Sequence, residues 1–184
     1  MKITIFSNKG GVGKTTLAYN LHKELNLNIY TNDKYNILYQ NKKAEKISYK
    51  YNFDNGIYDL GGFNDNIANL LKNSNLIIIP TLNNIIDFQA TILTIKEVKT
   101  LNKNIVLVFN KCKEGEIDKD ILDLIYKIKP DIKITYIRSS KNISKTIKSD
   151  NSLKELADKD QFKGKSFTTI REDFNKLKEI INAN

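Results

Sequence analysis

The fold follows from residues 2–25, which read KITIFSNKGGVGKTTLAYNLHKEL. This segment opens with a short apolar run at Lys2–Phe6, which is typical of a buried strand. A loop with three glycines comes next, and Lys14–Leu25 then shows the apolar spacing of an amphipathic helix. The sequence therefore predicts a strand, a glycine-rich loop and a helix in direct succession.

The same alternation of short apolar runs and helical patterns continues along the chain, as in a parallel sheet with helices on both faces. The further strands are predicted at Leu27–Thr31, Gly56–Leu60, Leu76–Pro80, Asn104–Phe109 and Lys133–Ile137. The further helices are predicted at Asn64–Lys72, Ile85–Leu101, Ile117–Ile128, Ile143–Lys148 and Phe167–Ile181. Some strands are apolar at every position, which indicates burial on both faces. We expect the α/β class, with a mostly parallel central sheet and helices on both faces.

The segment Ile37–Phe53 is harder to assign, because its alternation is weak. Ile47, Tyr49 and Tyr51 fall on one side of it, which indicates a short hairpin or an edge strand. No repeat, low-complexity tract or linker divides the chain, and its 184 residues suit one domain. We therefore expect a single domain over residues 1–184.

Composition excludes several classes of protein. The chain has one cysteine, Cys112, which rules out an intrachain disulfide and a four-cysteine zinc site and suits a reducing compartment. No apolar run approaches the ~20 residues of a membrane-spanning helix, and no signal peptide is visible. With 30 basic and 21 acidic residues the net charge is +9, which favours a polyanionic partner. We expect a cytoplasmic protein.

The glycine-rich loop has the composition of a phosphate-binding loop. Three glycines allow successive backbone N–H groups to point into one concavity, where the following helix presents its positive end. Lys14 is placed to reach the β- and γ-phosphates of a nucleotide, and the Thr15 hydroxyl is placed to ligate magnesium. A glycine turn that joins strand to helix without a ligand is the alternative interpretation.

The loop departs from the generic pattern G-x-x-x-x-G-K-T, because Asn8 stands where the first glycine would be. It reads K-G-G-x-G-K-T-T instead and resembles the deviant Walker A motif of the ParA/MinD family of ATPases, most closely the short ParA type that lacks an N-terminal helix-turn-helix domain. The resemblance implies a P-loop NTPase fold with ATP and Mg²⁺ as cofactors. The implied nucleotide-binding residues are Lys9, Gly10, Gly11, Val12, Gly13, Lys14, Thr15 and Thr16.

The additional lysine of that motif is Lys9. The resemblance implies that Lys9 crosses a dimer interface to the ATP bound by the partner, so that two nucleotides are sandwiched in a homodimer. Lys9 and Lys14 are then both catalytic residues. The alternative for Lys9 is a solvated lysine at the edge of a loop, as exposed lysines commonly are.

Two aspartates are implied to complete the site. Asp59 ends an apolar strand at the Walker B position and would hold magnesium through a water; a cap for the next helix is the alternative. Asp33 matches by spacing the second aspartate of the family's D-x-D-P-Q run, which helps position the attacking water near magnesium. The resemblance therefore makes Asp33 a third catalytic residue and places it with Thr15 and Asp59 at the metal site; the alternative is a turn residue. The family usually shows D-x-P-P after the Walker B aspartate, whereas this chain has glycines at positions 61 and 62, which predicts a more mobile loop.

The strand end at Asn110 is where P-loop proteins read the base. A GTPase would have N-K-x-D there, but this chain has Lys113 in place of the aspartate, which disfavours guanine. The resemblance implies that Asn110 pairs with the adenine edge, so ATP is favoured. A strand-terminating asparagine in a turn is the alternative.

The positive charge is concentrated in the stretch Lys127–Lys148, and the resemblance implies that this region contributes to non-specific binding of double-stranded DNA in the ATP-bound dimer. Several lysines near phosphates give salt-sensitive affinity that is independent of sequence, and the scarcity of aromatic residues argues against single-strand recognition. A solvated lysine-rich face is the alternative. The candidate residues are Lys127, Lys129, Lys133, Arg138, Lys141, Lys145 and Lys148.

The resemblance implies a ParA-type ATPase for plasmid or chromosome partition in the bacterial cytoplasm, with association with the nucleoid left open. The ATP-bound dimer would bind DNA, and a centromere-binding, ParB-like partner would stimulate a weak intrinsic ATP hydrolysis and release the DNA. The alternative is a MinD-like ATPase that positions machinery on a membrane surface. That alternative is weaker, because acidic residues share the C-terminal helix with its apolar stripe, which we expect to pack on the sheet.

Overall fold

The computed structural model describes residues 1–47, 55–61, 65–140, 143–159 and 164–183. Within these residues seven strands form a single sheet in which every pairing is parallel, in the order β3-β2-β4-β1-β5-β6-β7. The predicted α/β fold class is confirmed. The strands are β1 (Lys2–Ile5), β2 (Ile29–Thr31), β3 (Glu45–Lys46), β4 (Gly56–Asp59), β5 (Leu76–Leu82), β6 (Ile105–Asn110) and β7 (Lys133–Ile137).

Helices cover both faces of this sheet. Alternate residues of the central strands belong to different core clusters: Ile78 packs with one, and Ile77 and Ile79 with the other. The first cluster includes α1 and α8, and the second includes α3, α4 and α5. The helices are α1 (Lys14–Leu25), α2 (Ile37–Gln40), α3 (Asp65–Lys72), α4 (Ile85–Val98), α5 (Lys119–Ile128), α6 (Ile143–Ser149), α7 (Leu153–Lys159) and α8 (Gly164–Asn182).

The segment after β2 differs from the prediction. It contains the short helix α2 and then β3, which pairs with β2 in parallel, so the hairpin is wrong and the edge strand is confirmed. The helix forms because the side chain of Asn36 accepts a hydrogen bond from the backbone N–H of Leu38 at 2.9 Å, which caps its first turn. Tyr49 and Tyr51 lie outside the described residues.

Strand β5 extends beyond its predicted end and passes through Pro80 to Leu82. The N–H of Ile77 donates towards β6, so position 80, three residues on, faces the β1 side. Strand β1 pairs with β5 only as far as Ile78. No β1 carbonyl is paired at the level of Pro80, so the missing N–H of this proline costs the sheet no hydrogen bond.

The carboxyl ends of the parallel strands meet at one edge of the sheet, where ligands bind in open α/β folds. The glycine-rich loop follows β1 at the centre, between β4 and β5. Loops that follow β2 and β4 lie on one side of it, and α4 begins after β5 on the other. This arrangement places residues that are far apart in sequence around a single edge.

The C-terminal helix α8 packs on the sheet, as the sequence predicted. Phe174, Leu177 and Ile181 are completely buried in the first core cluster. Among the described residues, no helix is both long and apolar enough to cross a membrane.

An ion pair joins α8 to the end of β7. Arg138 donates from Nε and Nη2 to the two carboxylate oxygens of Asp173 at 2.8 and 2.7 Å, and the backbone N–H of Arg138 also donates to Asp173. Asp173 is buried, and its carboxylate holds the pKa of Arg138 above the usual value.

We expect Arg138→Ala to lower the free energy of unfolding by about 2 kcal/mol, because it leaves a buried carboxylate without its charged partner. Urea denaturation monitored by circular dichroism measures this change. The control is Lys145→Ala, an exposed position on α6, where a change within about 0.5 kcal/mol is expected. Equal stabilities of the two variants would contradict this account of Arg138.

Candidate functional site

The glycine-rich loop is shaped by backbone conformations that only glycine adopts readily. Gly11 and Gly13 have φ angles of 77° and 93°, in the left-handed region. A Cβ atom at position 13 would also lie 2.7 Å from the side-chain nitrogen of Asn110. Gly13 is the N-cap residue of α1 and provides no side-chain cap, so the first amides of α1 remain available to an anion.

Neighbouring elements hold the loop in place on two sides. The side-chain nitrogen Nδ2 of Asn110, at the end of β6, donates to the carbonyl of Val12 at 2.7 Å. On the other side, the Asn8 side chain donates to Glu97 at 2.9 Å, and the backbone N–H of Asn8 donates to Thr94 at 3.3 Å. Asn8, the residue that departs from the generic motif, thus attaches the loop to α4.

The structure gives Asn110 a contact that the sequence did not predict. Its N–H₂ group binds the loop backbone, and the residue also lines a small cavity of about 80 Å³ with Val12, Leu17 and Ile137. This cavity is lined mostly by apolar groups and adjoins the loop. The adenine contact of Asn110 stays a prediction.

Lys14 is held inside the loop. Its Nζ donates to the carbonyls of Lys9 and Ser7 at 3.0 and 3.3 Å. Burial lowers the pKa of Lys14, and the charges of Asp59 and Asp33 oppose that shift. The ammonium lies beside a cavity of about 560 Å³ that is lined by the loop and by Asp33, Asn36 and Asp59. A phosphate in this cavity would replace the loop carbonyls as the partner of Lys14.

Asp59 lies at the end of β4 and is almost completely buried. Its Oδ2 accepts one hydrogen bond from the Thr15 hydroxyl at 2.7 Å and another from the side-chain nitrogen of Asn36 at 2.6 Å. Burial raises the pKa of Asp59, although both hydrogen bonds and the charge of Lys14 oppose the rise. The predicted pair of Thr15 and Asp59 is therefore brought together, and Asn36 joins it.

A magnesium ion fits the chemistry of this pair, because a hydroxyl and a carboxylate are the hard oxygen ligands that it prefers. In the described part of the chain, no three His, Cys, Asp or Glu side chains gather as a metal site. A hydroxyl and a carboxylate leave most of the six positions around a magnesium ion to other oxygen ligands, such as water or phosphate.

Asp33 lines the same cavity but is exposed to solvent. Its Oδ1 accepts the backbone N–H of Tyr35 at 2.8 Å, so the turn that was the alternative interpretation is present. Its role in positioning water stays a prediction.

Asn32, beside Asp33, connects two of the loops. Its side chain both accepts from the N–H of Gly61 at 2.9 Å and donates to the carbonyl of Gly61 at 2.8 Å. These two bonds connect Gly61 to the loop after β2. Position 62 lies outside the described residues, and the mobility of this loop stays a prediction.

Lys9 forms an ion pair within its own chain. Its Nζ lies 3.6 Å from Oδ1 of Asp87 near the start of α4, and its side chain is 41% exposed. Asp87 itself is fixed by the capping residue Asn84, whose Oδ1 accepts the backbone N–H of Asp87 at 3.0 Å. Lys9 is partly exposed but Asp87 is buried, and the other carboxylate oxygen of Asp87 accepts a hydrogen bond from the side-chain nitrogen of Asn84. Asp87 therefore keeps a donor when Lys9 changes partners.

The structure does not gather the basic candidates into one patch. Lys129 is buried and pairs with Asp131 at 2.7 Å, and Arg138 pairs with Asp173. The remaining described candidates divide between two edges of the sheet. Lys127 and Lys133 lie near the amino end of β7, whereas Lys145 and Lys148 lie on α6, which follows its carboxyl end. Lys141 lies outside the described residues.

Three residues of the site were not predicted: Asn32, Asn36 and Asp87. Asn32 and Asn36 follow β2 and Asp87 follows β5, and their contacts depend on how the strands are ordered in the sheet. Only Asn36 carries a local signal, because asparagine before an apolar helical turn is a common N-cap.

Comparison with solved structures shows that the chain has the fold of the ParA/MinD deviant Walker A ATPases. An ATP complex of a McdA variant from Cyanothece superposes with a TM-score of 0.69 at 15% identity, covering 98% of this chain and 96% of that chain. MinD cell division protein from Aquifex aeolicus gives 0.58 at 14% identity, covering 90% and 92%. A Borrelia burgdorferi protein described as a plasmid partition protein, bound to AMPPNP, gives 0.54 at 18% identity, covering 96% and 98%. The sequence matches no protein-family model and no curated protein.

We expect Asp59→Asn to raise the free energy of unfolding of the nucleotide-free protein by about 1 kcal/mol at pH 8, because it removes a charge from a buried position. Since burial raises the pKa of Asp59, the wild-type carboxyl takes up a proton in the folded state as the pH falls, and stability is lost as the pH rises through that pKa. The difference between variant and wild type should therefore shrink towards pH 4. Urea denaturation in EDTA at both pH values measures it, and a variant less stable than wild type at pH 8 would contradict it.

Proposed function

We propose that this chain is a ParA-type ATPase that binds ATP with magnesium, dimerises around the nucleotides and binds DNA in the dimeric state. The observation that carries the proposal is the convergence of Lys14, Thr15 and Asp59 on one cavity beside a loop that also carries Lys9. The fold it shares with McdA and MinD supports this proposal.

Within the cavity, the chain's own groups have distinct roles. The loop amides and the Lys14 ammonium bind the phosphates and neutralise the charge that develops on them. Thr15 and Asp59 hold the magnesium ion, which supplies further neutralisation when it is bound. Asp33, at the solvent side of the cavity, orients the attacking water. The intrinsic rate is expected to be low until a ParB-like partner stimulates it.

Adenine is the base that we propose. The chain lacks the aspartate that would accept the two N–H donors of guanine, and Asn110 with its apolar neighbours offers a cavity beside the loop. The structural neighbours include one complex with ATP and one with AMPPNP.

Dimerisation requires the ammonium group of Lys9 to exchange Asp87 of its own chain for the nucleotide of the second copy. The ion pair of Lys9 with Asp87 spans 3.6 Å and joins a partly exposed lysine to a buried carboxylate, which keeps its hydrogen bond from Asn84 when Lys9 leaves. A triphosphate bound by a second copy carries more negative charge than one carboxylate and is a stronger partner. Large apolar side chains are also exposed at this edge, with Tyr35 at 73% and Ile86 at 68%, as expected of a surface that a second copy covers.

We expect Lys14→Ala to abolish ATP binding and Lys9→Ala to preserve it while preventing dimerisation, because only Lys14 contacts the phosphates of its own chain's nucleotide. Calorimetry measures binding, and analytical ultracentrifugation with Mg²⁺ and a non-hydrolysable ATP analogue measures dimerisation. The matched variant Asp87→Asn frees Lys9 and should dimerise as tightly as wild type or up to about fivefold more tightly. A Lys9→Ala protein that still dimerises with the analogue would contradict the proposed contact of Lys9 with the nucleotide of the second copy.

DNA binding is proposed for the exposed lysines of α6. This helix follows the carboxyl end of β7, on the same edge of the sheet as the nucleotide cavity, and Ile143 and Ile147 pack it against the core that contains α1. Closure of two copies at this edge would bring two such helices into one assembly, which supports the ATP dependence. The ParB-like partner would act on this state.

We expect Lys145→Ala with Lys148→Ala to weaken ATP-dependent binding to random duplex DNA and to lower the salt dependence of log K by about two, or about four for a dimer. Gel shifts with ATP, with ADP and without nucleotide, at increasing salt, measure both. The control is Lys127→Ala with Lys133→Ala at the opposite edge, which should leave binding nearly unchanged. Binding that both pairs leave intact, or that needs no ATP, would refute this assignment.

The MinD-like alternative gains no support from the described residues. The apolar stripe of α8 that would have entered a membrane surface is buried at Phe174, Leu177 and Ile181. The partition ATPase is therefore the one function that we propose.

A further inference from the structure

Asn36 uses both ends of its side-chain amide, so its orientation is fixed. Oδ1 accepts the backbone N–H of Leu38 at 2.9 Å and caps α2, while Nδ2 donates to Oδ2 of Asp59 at 2.6 Å. The residue is buried. Rotating the amide would leave the Leu38 N–H without its acceptor and turn an oxygen towards the Asp59 carboxylate, and both changes are unfavourable.

The amide also stands where the two metal-ligating groups meet. Nδ2 of Asn36 lies 3.4 Å from the Thr15 hydroxyl oxygen, and that hydroxyl donates to the same carboxylate oxygen of Asp59. Asp59 is buried and needs donors to compensate its charge. The N–H₂ group of Asn36 is one such donor. Its partial positive charge lies where a cation bound by Thr15 and Asp59 would lie.

We infer that Asn36 is a positioning residue that holds Thr15 and Asp59 in the nucleotide-free protein and releases them when magnesium and nucleotide bind. This inference rests on the proposed function. Nδ2 of Asn36 lies 3.4 Å from the Thr15 hydroxyl oxygen and 2.6 Å from Oδ2 of Asp59, where a cation serving both groups, or the water between cation and carboxylate, would lie. The amide then turns away, and the turn breaks its bond to Leu38. Metal binding and the cap of α2 are therefore coupled.

The coupling has a consequence at the surface. Helix α2 has four residues, so its single capped turn depends strongly on that one bond. The segment exposes Tyr35 and Ile37, at 73% and 52%, on the edge where we place the second copy. The release of Asn36 thus couples occupancy of the metal site to the conformation of a surface segment that is available for dimerisation.

Asn36→Ser separates the two roles of the residue, because serine can still cap Leu38 but has no N–H₂ group to bind Asp59. Calorimetric titrations of a non-hydrolysable ATP analogue at a series of free Mg²⁺ concentrations give the Mg²⁺ needed for half-maximal tightening. We expect this concentration to fall about tenfold in Asn36→Ser, since the cation no longer displaces a charge-assisted hydrogen bond. The matched control Asn41→Ser, at the exposed other end of α2, should titrate like wild type.

The wild-type protein supplies a second readout that needs no variant. Hydrogen exchange at the Leu38 amide should be slow in EDTA, with or without the ATP analogue, and should become at least tenfold faster when Mg²⁺ is added with the analogue. An amide that stays equally protected in all states overturns the inference, and so does an Asn36→Ser protein with the Mg²⁺ dependence of wild type. A wild-type protein that binds the analogue identically with and without Mg²⁺ also overturns it while leaving nucleotide binding intact. One that binds no nucleotide removes both this inference and the proposed function.

Discussion

The close packing of Gly13 against Asn110 is the constraint on which the rest of the site depends. A side chain at position 13 would collide with the Asn110 amide, and that amide binds the carbonyl of Val12. The backbone therefore turns at Gly13 in the left-handed conformation and enters α1 with its amides directed to one concavity. Everything proposed for phosphate binding follows from this turn, because Lys14 and Thr15 come directly after it.

Around that turn, polar groups are buried at a cost that the free protein only partly offsets. Burial raises the pKa of Asp59 and lowers that of Lys14, so both charges are less favourable than they would be in water. Lys14 compensates with loop carbonyls, and Asp59 with Thr15 and Asn36. A triphosphate with its cation would offer each group a stronger partner, which is how a site can trade stability of the free protein for ligand affinity.

Sequence reasoning succeeded where the signal was local. Helix α1 was predicted with its observed bounds, Lys14–Leu25, since a glycine precedes it and its apolar spacing is regular. Helix α7 was missed, although Ser152 and Glu155 form the reciprocal bonds of a capping box, with 3.1 and 2.7 Å between donor and acceptor.

The contacts of Asn32, Asn36 and Asp87 could not be predicted, because they arise only once β2, β4 and β5 are ordered around β1. The separation of the basic residues has the same origin. Lys127 and Lys148 lie in one stretch of sequence, but β7 runs between them and carries the chain from one edge of the sheet to the other.

The central claim is that the loop binds a triphosphate and that the bound nucleotides join two chains. Native mass spectrometry of the wild-type protein with Mg²⁺ and a non-hydrolysable ATP analogue tests both parts in one spectrum. The account predicts a species of twice the 21.2 kDa chain mass that carries two nucleotides, and a single chain when ADP replaces the analogue. A single chain without nucleotide in the presence of the analogue would contradict it.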